Sequence, residues 1–429
     1  MKKIIAIAMA TLMALAALTG CVANTAPATA PAAEAAAPAA EAGDQVTITW
    51  GLFETDNLTA ELYQSIIADF EKDNPGIKIE TMVASGDSRV AFWKTQYASG
   101  NFPDLVMSEG VLSTDGIFAE VPADVVDLFE EGALSTFGGK VVTVPLAKQL
   151  RMQCYYNKAD FKECGLEEPK TWDEFMNICD TLKAAGKVPM ICGGTGDVWA
   201  IGEPWWIAVT NQTILDKYPN FNEQLKKGEL AWTDPVIVEA MELWQDFINK
   251  GNYYEGSMSY SYSQAASEFQ NGVASMMIDG SWAAAGFDAA GSDDFGVFAV
   301  PSPQGLTTYC STVTDMGVYK DSKNLDAVWT FIKWFYTNKD AYSRYLQADG
   351  LYSVTKDPVT YDQGPVAKKF VDNFNGWTLI PEALLVTGEN QLPAGMEDEV
   401  CKILQNIYVG KDIKDELANL QLQYEMIKE

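Results

Sequence analysis

The stretch VTITWGLFETDNLTAELYQSIIADFEKDNPGIKIE, residues 46–80, carries the pattern from which the rest of the chain is read. Val46, Ile48 and Trp50 alternate with threonines, the period-two signature of a strand with one buried face. Leu62, Ile66 and Phe70 recur at helical spacing until Pro75-Gly76 stops the helix, and Ile77 and Ile79 begin a second strand. The unit is β-α-β. Downstream, a helix carrying Phe92, Trp93 and Tyr97 ends near Gly100, and Pro103-Asp104-Leu105-Val106-Met107 predicts a short buried strand. Thr171-Trp172-Asp173-Glu174 has the form of a capping box, opening a helix through Leu182 that Gly186 closes. Thr233-Asp234-Pro235 opens another through Met241, Leu243, Trp244 and Phe247 to Gly251. Residues 263–282 read as a helix, Gly272, a strand over 274–278 and a turn at Asp279-Gly280-Ser281; further helices are predicted over 325–336 and at the C-terminal end. Strands alternating with helices predict an α/β protein with mostly parallel sheets. A chain of 429 residues is too long for one ordinary core and predicts two lobes.

Upstream of this pattern, Lys2 and Lys3 precede a nearly unbroken apolar run over 4–18, which ends in Leu18-Thr19-Gly20-Cys21. The run is shorter than the roughly 20 residues that cross a bilayer. The segment resembles the lipobox of bacterial lipoproteins. That resemblance implies a signal peptide over 1–20, lipidation of Cys21, and an exported protein anchored on the extracytoplasmic side of the cell membrane. Residues 21–45, nearly all Ala, Pro, Thr and Glu, predict a flexible tether. No later segment is long and apolar enough to span a membrane.

With 30 basic and 59 acidic residues the formal charge is −29, and loss of Lys2 and Lys3 with the signal makes it more negative. Such a field repels nucleic acid and anionic lipid surfaces and disfavours an anionic ligand. The complete absence of histidine removes the commonest general base, the usual zinc ligand and every imidazole-dependent triad. Cys154, Cys164, Cys179, Cys192, Cys310 and Cys401 could pair in an exported protein, but they are scattered and lack C-x-x-C spacing. Buried free thiols are an equal expectation.

Several segments occur in a telling order: 46–80, GNFPDL at 100–105, Tyr156-Asn157-Lys158 followed by Lys170-Thr171-Trp172-Asp173-Glu174, AASEFQNGVASMMIDGSW at 265–282, and FGVFAVPSP at 295–303. No single motif is specific, but the ordered set covers nearly the whole mature chain. It resembles extracellular solute-binding proteins of ABC importers, of the carbohydrate-binding kind related to maltose-binding protein. The resemblance implies a two-lobed, type II periplasmic-binding-protein-like fold, each lobe a mostly parallel sheet flanked by helices. It places the N-terminal lobe at 46–144 plus 302–357 and the C-terminal lobe at 145–301 plus 358–429, with crossings near 143–145, 297–301 and 356–361. It further implies a sugar held in the interlobe cleft, closure by hinge bending, permease subunits as partners, a monomer, and neither cofactor, metal nor catalysis.

A pyranose has C–H groups on its faces and hydroxyls round its edge, so its site needs flat aromatics and planar polar groups. Trp282, in the turn after the strand over 274–278, matches a position that stacks on sugar in the maltose-binding relatives; a tryptophan capping an apolar cluster is the competing reading. Gly202-Glu203-Pro204-Trp205-Trp206 resembles a family segment whose glutamate binds hydroxyls and whose next aromatic but one stacks, roles that fall to Glu203 and Trp205. Trp206 is a further candidate, with helix packing as its alternative. Glu54 and Asp56 occupy the loop after the first strand, and Ser108 and Glu109 follow the strand ending at Met107; each could instead be merely solvated. Arg151 stands where relatives often place an acidic residue, and could bind hydroxyls, bind an acidic sugar or pair with a carboxylate. Near 391–396 no aromatic is offered, so maltodextrin specificity does not follow. Alternatives stay open: Tyr155-Tyr156 is similar to the consecutive tyrosines of ferric-ion-binding proteins, and a peptide is the other non-sugar solute to weigh. A glycoside hydrolase could also work with two carboxylates and no histidine.

Overall fold

Among the described residues eight strands, β1 (Val46–Leu52), β2 (Ile77–Val83), β3 (Leu105–Met107), β4 (Thr143–Leu150), β5 (Gln153–Asn157), β6 (Met276–Asp279), β7 (Phe295–Phe298) and β8 (Ser311–Val318), form two sheets. The computed structural model describes residues 45–86, 88–107, 112–113, 116–196, 198–291, 293–305, 311–375 and 382–428. The export signal, Cys21, the tether to Asp44, Ser108, Glu109 and Cys310 lie outside the described residues.

The larger sheet has the order β2-β1-β3-β8-β4. Ile48, Trp50 and Leu52 of β1 bury one face against Tyr63, Ile66 and Phe70 of the helix Ala60–Asp73, which Thr59 caps. Trp50 and Phe70 each meet Phe331 edge-on at 5.0 Å, so the helix Leu325–Thr337 closes the same core. On the other face Gly51 is required by close approach: a Cβ there would fall 2.7 Å from Pro103 and 2.8 Å from Trp93. The smaller sheet, β6-β5-β7, is buried on both faces. Tyr156, Met276 and Ile278 face a core built around Phe175, Trp205, Trp206, Trp232 and Trp244, whereas Tyr155, Met277 and Phe295 face Phe269, Phe287 and Phe370.

Pairing sense corrects one detail of the sequence reading. Among the pairings of these eight strands in the described residues, β1–β2 and β1–β3 are parallel, whereas β3–β8, β4–β8, β5–β6 and β5–β7 are antiparallel. Four strands of the larger sheet nonetheless run the same way, because β8 enters reversed between β3 and β4 after the chain returns from β7. In the smaller sheet β5 lies reversed between two like-directed neighbours. Period-two or apolar patterning reports a strand's burial and not its direction, so this insertion was not readable from the strands themselves.

The chain passes from the larger sheet to the smaller between Leu150 and Gln153. Met152, in this passage, holds a left-handed φ of 45° with its side chain buried, a conformation costly for a residue with a Cβ. The predicted capping box is present, with Thr171 and Glu174 satisfying each other's backbone at the start of Trp172–Ala184. Cys154, Cys164, Cys179, Cys192 and Cys401 are free thiols, four of them buried, so the disulfide alternative fails for every cysteine among the described residues. Burial pushes the Cys179 and Cys192 thiols up to about 12.

Candidate functional site

A cavity of about 580 Å³ opens where the loop after β1, the end of β4 and the turn after β6 converge. Its size lies within the roughly 300–1,000 Å³ typical of small-molecule sites. One wall is the loop from Phe53 to Leu58; the facing wall comprises the helix Tyr262–Gln270 and Trp282. Arg151, Glu203, Asp349 and Leu351 contribute between them.

Trp282 is half-buried on this wall. Its position depends on Gly280, where any Cβ would lie 2.0 Å from the indole ring; the missing side chain lets the ring fold against the turn. The indole Nε1 donates to the Tyr262 hydroxyl at 2.9 Å, and that hydroxyl donates to Asp279 Oδ2 at 2.9 Å. Gly280 N donates to the other Asp279 oxygen at 2.8 Å. Burial pushes the Asp279 carboxyl up to about 7, partly offset by these donors. Trp199 meets Trp282 edge-on at 6.1 Å, and the Arg151 guanidinium carbon lies 5.3 Å from its ring centroid.

Arg151 answers the question that its departure from the family pattern raised. Its Nη2 donates to Glu203 Oε1 at 2.7 Å and its Nη1 to Gln149 at 3.1 Å, so its charge is paired at the cavity wall. Glu203, nearly buried, begins a helical run that includes a π turn over Trp206–Thr210, a local widening frequently found at functional sites. Glu203 and Arg151 thus reach the cavity together. Trp205 and Trp206 do not, which corrects the expectation for both. Trp205 is sealed against Trp172 and, at 4.4 Å, against Phe247. Trp206 is sealed beside Trp232, and its Nε1 donates to Glu382 at 3.1 Å. Neither ring has a face for a ligand, because the helix turns both indoles into the core while Glu203 reaches the cavity wall. Burial raises the Glu382 carboxyl to about 7.

The loop after β1 is ordered by Thr55, whose hydroxyl accepts from the backbone N–H groups of Asn57 and Leu58. Glu54 and Asp56 both line the cavity, and Asp56 accepts from the Ser263 hydroxyl on the facing helix. Asn57 was not singled out by sequence. Its side-chain amide donates to the Trp282 carbonyl at 3.2 Å and to Asp349 at 2.9 Å, joining both walls. Asp349 was likewise missed; burial raises its carboxyl to about 6, opposed chiefly by Asn57. The one available signal was the Asp349-Gly350 pair: Gly350 has φ 56°, and a Cβ there would lie 2.4 Å from the Ser281 carbonyl. Arg89, whose guanidinium sits 4.1 Å from the Phe53 ring centroid, also lines the cavity.

Tyr155 and Tyr156 fall on opposite faces of β5, with hydroxyls donating to Gly280 O and Glu168 respectively. Adjacent strand residues diverge by construction, so these phenols do not converge on one ion. Among the described residues no group of three or more acidic or cysteine side chains is placed to hold a metal.

The sequence profile of bacterial extracellular solute-binding proteins matches residues 55–342. A multiple sugar-binding protein of Streptococcus mutans is 26% identical over 324 residues, covering 72% of this chain and 74% of its own. A solved chitin oligosaccharide binding protein superposes with a TM-score of 0.77 at 23% identity, covering 90% of this chain and all of its own. A sugar transporter from Bacillus licheniformis, solved in complex with stachyose, gives a TM-score of 0.73 at 22% identity over 89% of this chain and 100% of its own. These likenesses show the fold to be the two-sheet, type II arrangement of periplasmic binding proteins.

Proposed function

The chain belongs to the bacterial extracellular solute-binding proteins, and from that premise we propose that it captures a mono- or oligosaccharide in the cavity and delivers it to the permease subunits of an ABC importer. The observation that carries this reading is Trp282: an indole held by a hydrogen-bonded chain through Tyr262 to Asp279 yet left half-open beside polar edge groups. Stacking that covers about 100 Å² of apolar surface contributes roughly 2.5 kcal/mol before ordering costs. Glu54, Asp56, Glu203 and Asn57 supply donors and acceptors for hydroxyls. The Streptococcus relative, named for binding multiple sugars, supports the same class.

The protein performs no reaction in this reading; its output is a conformation. The lobes take the ranges 46–150 plus 302–357 and 151–301 plus 358–429, the first boundary lying at the end of β4 and not at 144–145 as read from sequence, because residues 145–150 still pair with β8 in the larger sheet. Asp56 to Ser263 and Asn57 to the Trp282 carbonyl are contacts that closure would make. A ligand shifts that closure only by its differential affinity for the closed state. Export follows from the family; the finer proposal is that Cys21 is lipidated and holds a monomer at the extracytoplasmic face through the tether.

A thermal-shift screen of the exported chain against mono- and oligosaccharides, with peptides, amino acids and ferric citrate as controls, tests the class. Binding to the native state raises the melting temperature by mass action. A rise with one family of sugars identifies the substrate; rises only with peptides or iron refute the saccharide reading. Release of reducing ends from a glycan would refute the absence of chemistry. Labelled palmitate should enter the wild-type protein in cells and not the Cys21→Ser variant.

A further inference from the structure

Resting on the saccharide reading above, we propose that the cleft selects its ligands by charge, admitting neutral and ammonium-bearing saccharides and rejecting those with a carboxylate or phosphate. Two cationic side chains, Arg89 and Arg151, reach the cavity among the described residues, and no lysine does. Positions 87, 108–111, 114–115, 197, 292, 306–310 and 376–381, the undescribed positions within 45–428, contain no Lys or Arg, so no cation is hidden there. Against these two stand five carboxylates: Glu203, Glu54, Asp56, Asp349 and Glu397.

The pairing of these groups matters as much as their number. Arg151 would be the natural anchor for an acidic sugar, but it is engaged by Glu203 at 2.7 Å with both side chains largely shielded from water. Breaking that pair to receive a ligand anion would strand a shielded carboxylate, which is strongly unfavourable. Asp56 and Asp349 take hydrogen bonds from Ser263 and Asn57, neutral donors that satisfy lone pairs and cancel no charge. An incoming carboxylate therefore exchanges water for a concave site of its own sign, where low-dielectric walls strengthen the repulsion. The net charge of −29 adds to this at long range. An ammonium group meets the opposite field.

Calorimetry and thermal shift on the exported chain should compare matched sets of gluco-, galacto- and manno-configured sugars and their short oligomers, each as the neutral sugar, the 2-amino sugar, the uronic acid and the 6-phosphate. At pH 7.5 and low salt every acidic member should bind at least tenfold more weakly than its neutral parent, with the gap narrowing in high salt as screening sets in. An acidic member that equals or exceeds its parent overturns the inference while sparing the saccharide reading. A second arm needs no ligand. The fluorescence difference between wild type and Trp282→Phe isolates the cleft indole, and its quenching by iodide, caesium and acrylamide is normalised to N-acetyltryptophanamide. Iodide should quench several-fold less than caesium; equal quenching, or quenching favouring iodide, overturns the inference even if no sugar in the panel binds, an outcome that would itself refute the saccharide reading.

Discussion

Trp282 and Trp205 are the same side chain placed in two mechanical situations. Trp205 has no exposed surface and is clasped by Trp172 and Phe247. Trp282 is held as firmly at one edge, through Nε1 to Tyr262 and onward to Asp279, but leaves part of its surface to the cavity. The difference separates two uses of apolar area. A sealed ring has already given its burial free energy to the fold, whereas a ring that is fixed but open keeps some in reserve for a ligand. The distinction extends to carboxylates: Asp315, sealed between strands, has one hydrogen bond from Thr143, at 2.9 Å, while Asp349 stands at the cavity wall.

The largest expected effect is on stability. Trp205→Ala should cost about 3–5 kcal/mol in urea denaturation, the usual range for emptying an aromatic core site, while the folded fraction keeps its sugar affinity. Lost affinity with unchanged stability would invert the comparison. Next comes pH. Burial raises the Asp315 carboxyl from 3.8 to about 7, so between those values the folded state holds a proton that the unfolded state has released. Stability therefore falls as pH rises through that window and levels off above about 7. Asp315→Asn should flatten the decline and leave the variant more stable at pH 8 by up to about 4 kcal/mol, with little difference below pH 4. Urea midpoints from pH 4 to 8 measure this, and an unaltered slope would show that the carboxyl is not held neutral.

A smaller free energy but a more specific one attaches to Trp282→Ala. Sugar affinity should fall at least tenfold, about 1.4 kcal/mol or more, with the ligand-free melting temperature nearly unchanged. Calorimetry and thermal scans on the one variant decide it; a large loss of ligand-free stability at constant affinity would place Trp282 with the core.

Local signals proved dependable where their cause is local. The β-α-β unit, the Thr171–Glu174 capping box and the turn that presents Trp282 all depend on residues within a few positions of each other. Elements whose character depends on distant partners were less legible. Trp205 and Trp206 are sealed by Trp172, Trp232 and Phe247, none of them a sequence neighbour. The direction of β8 depends on where the chain re-enters the larger sheet. Arg151 could not be assigned until Glu203 was seen 2.7 Å away, and Glu382, one of 59 acidic residues, was not set apart from the others until Trp206 was seen to donate to it.

Asn57 is the smallest of these effects and tests whether Trp282 is held from both sides. Its amide reaches across the cavity to the Trp282 carbonyl while also donating to Asp349. A typical hydrogen bond contributes about 1 kcal/mol net, so Asn57→Ala should weaken sugar binding by roughly fivefold, less than Trp282→Ala does. If the amide acts by fixing the indole, the two losses will not add: the double variant should bind about as weakly as Trp282→Ala alone, giving a coupling free energy comparable to the Asn57 effect. If Asn57 instead binds a hydroxyl on its own account, the losses will sum, and the support of Trp282 will rest on Tyr262 and Asp279 alone.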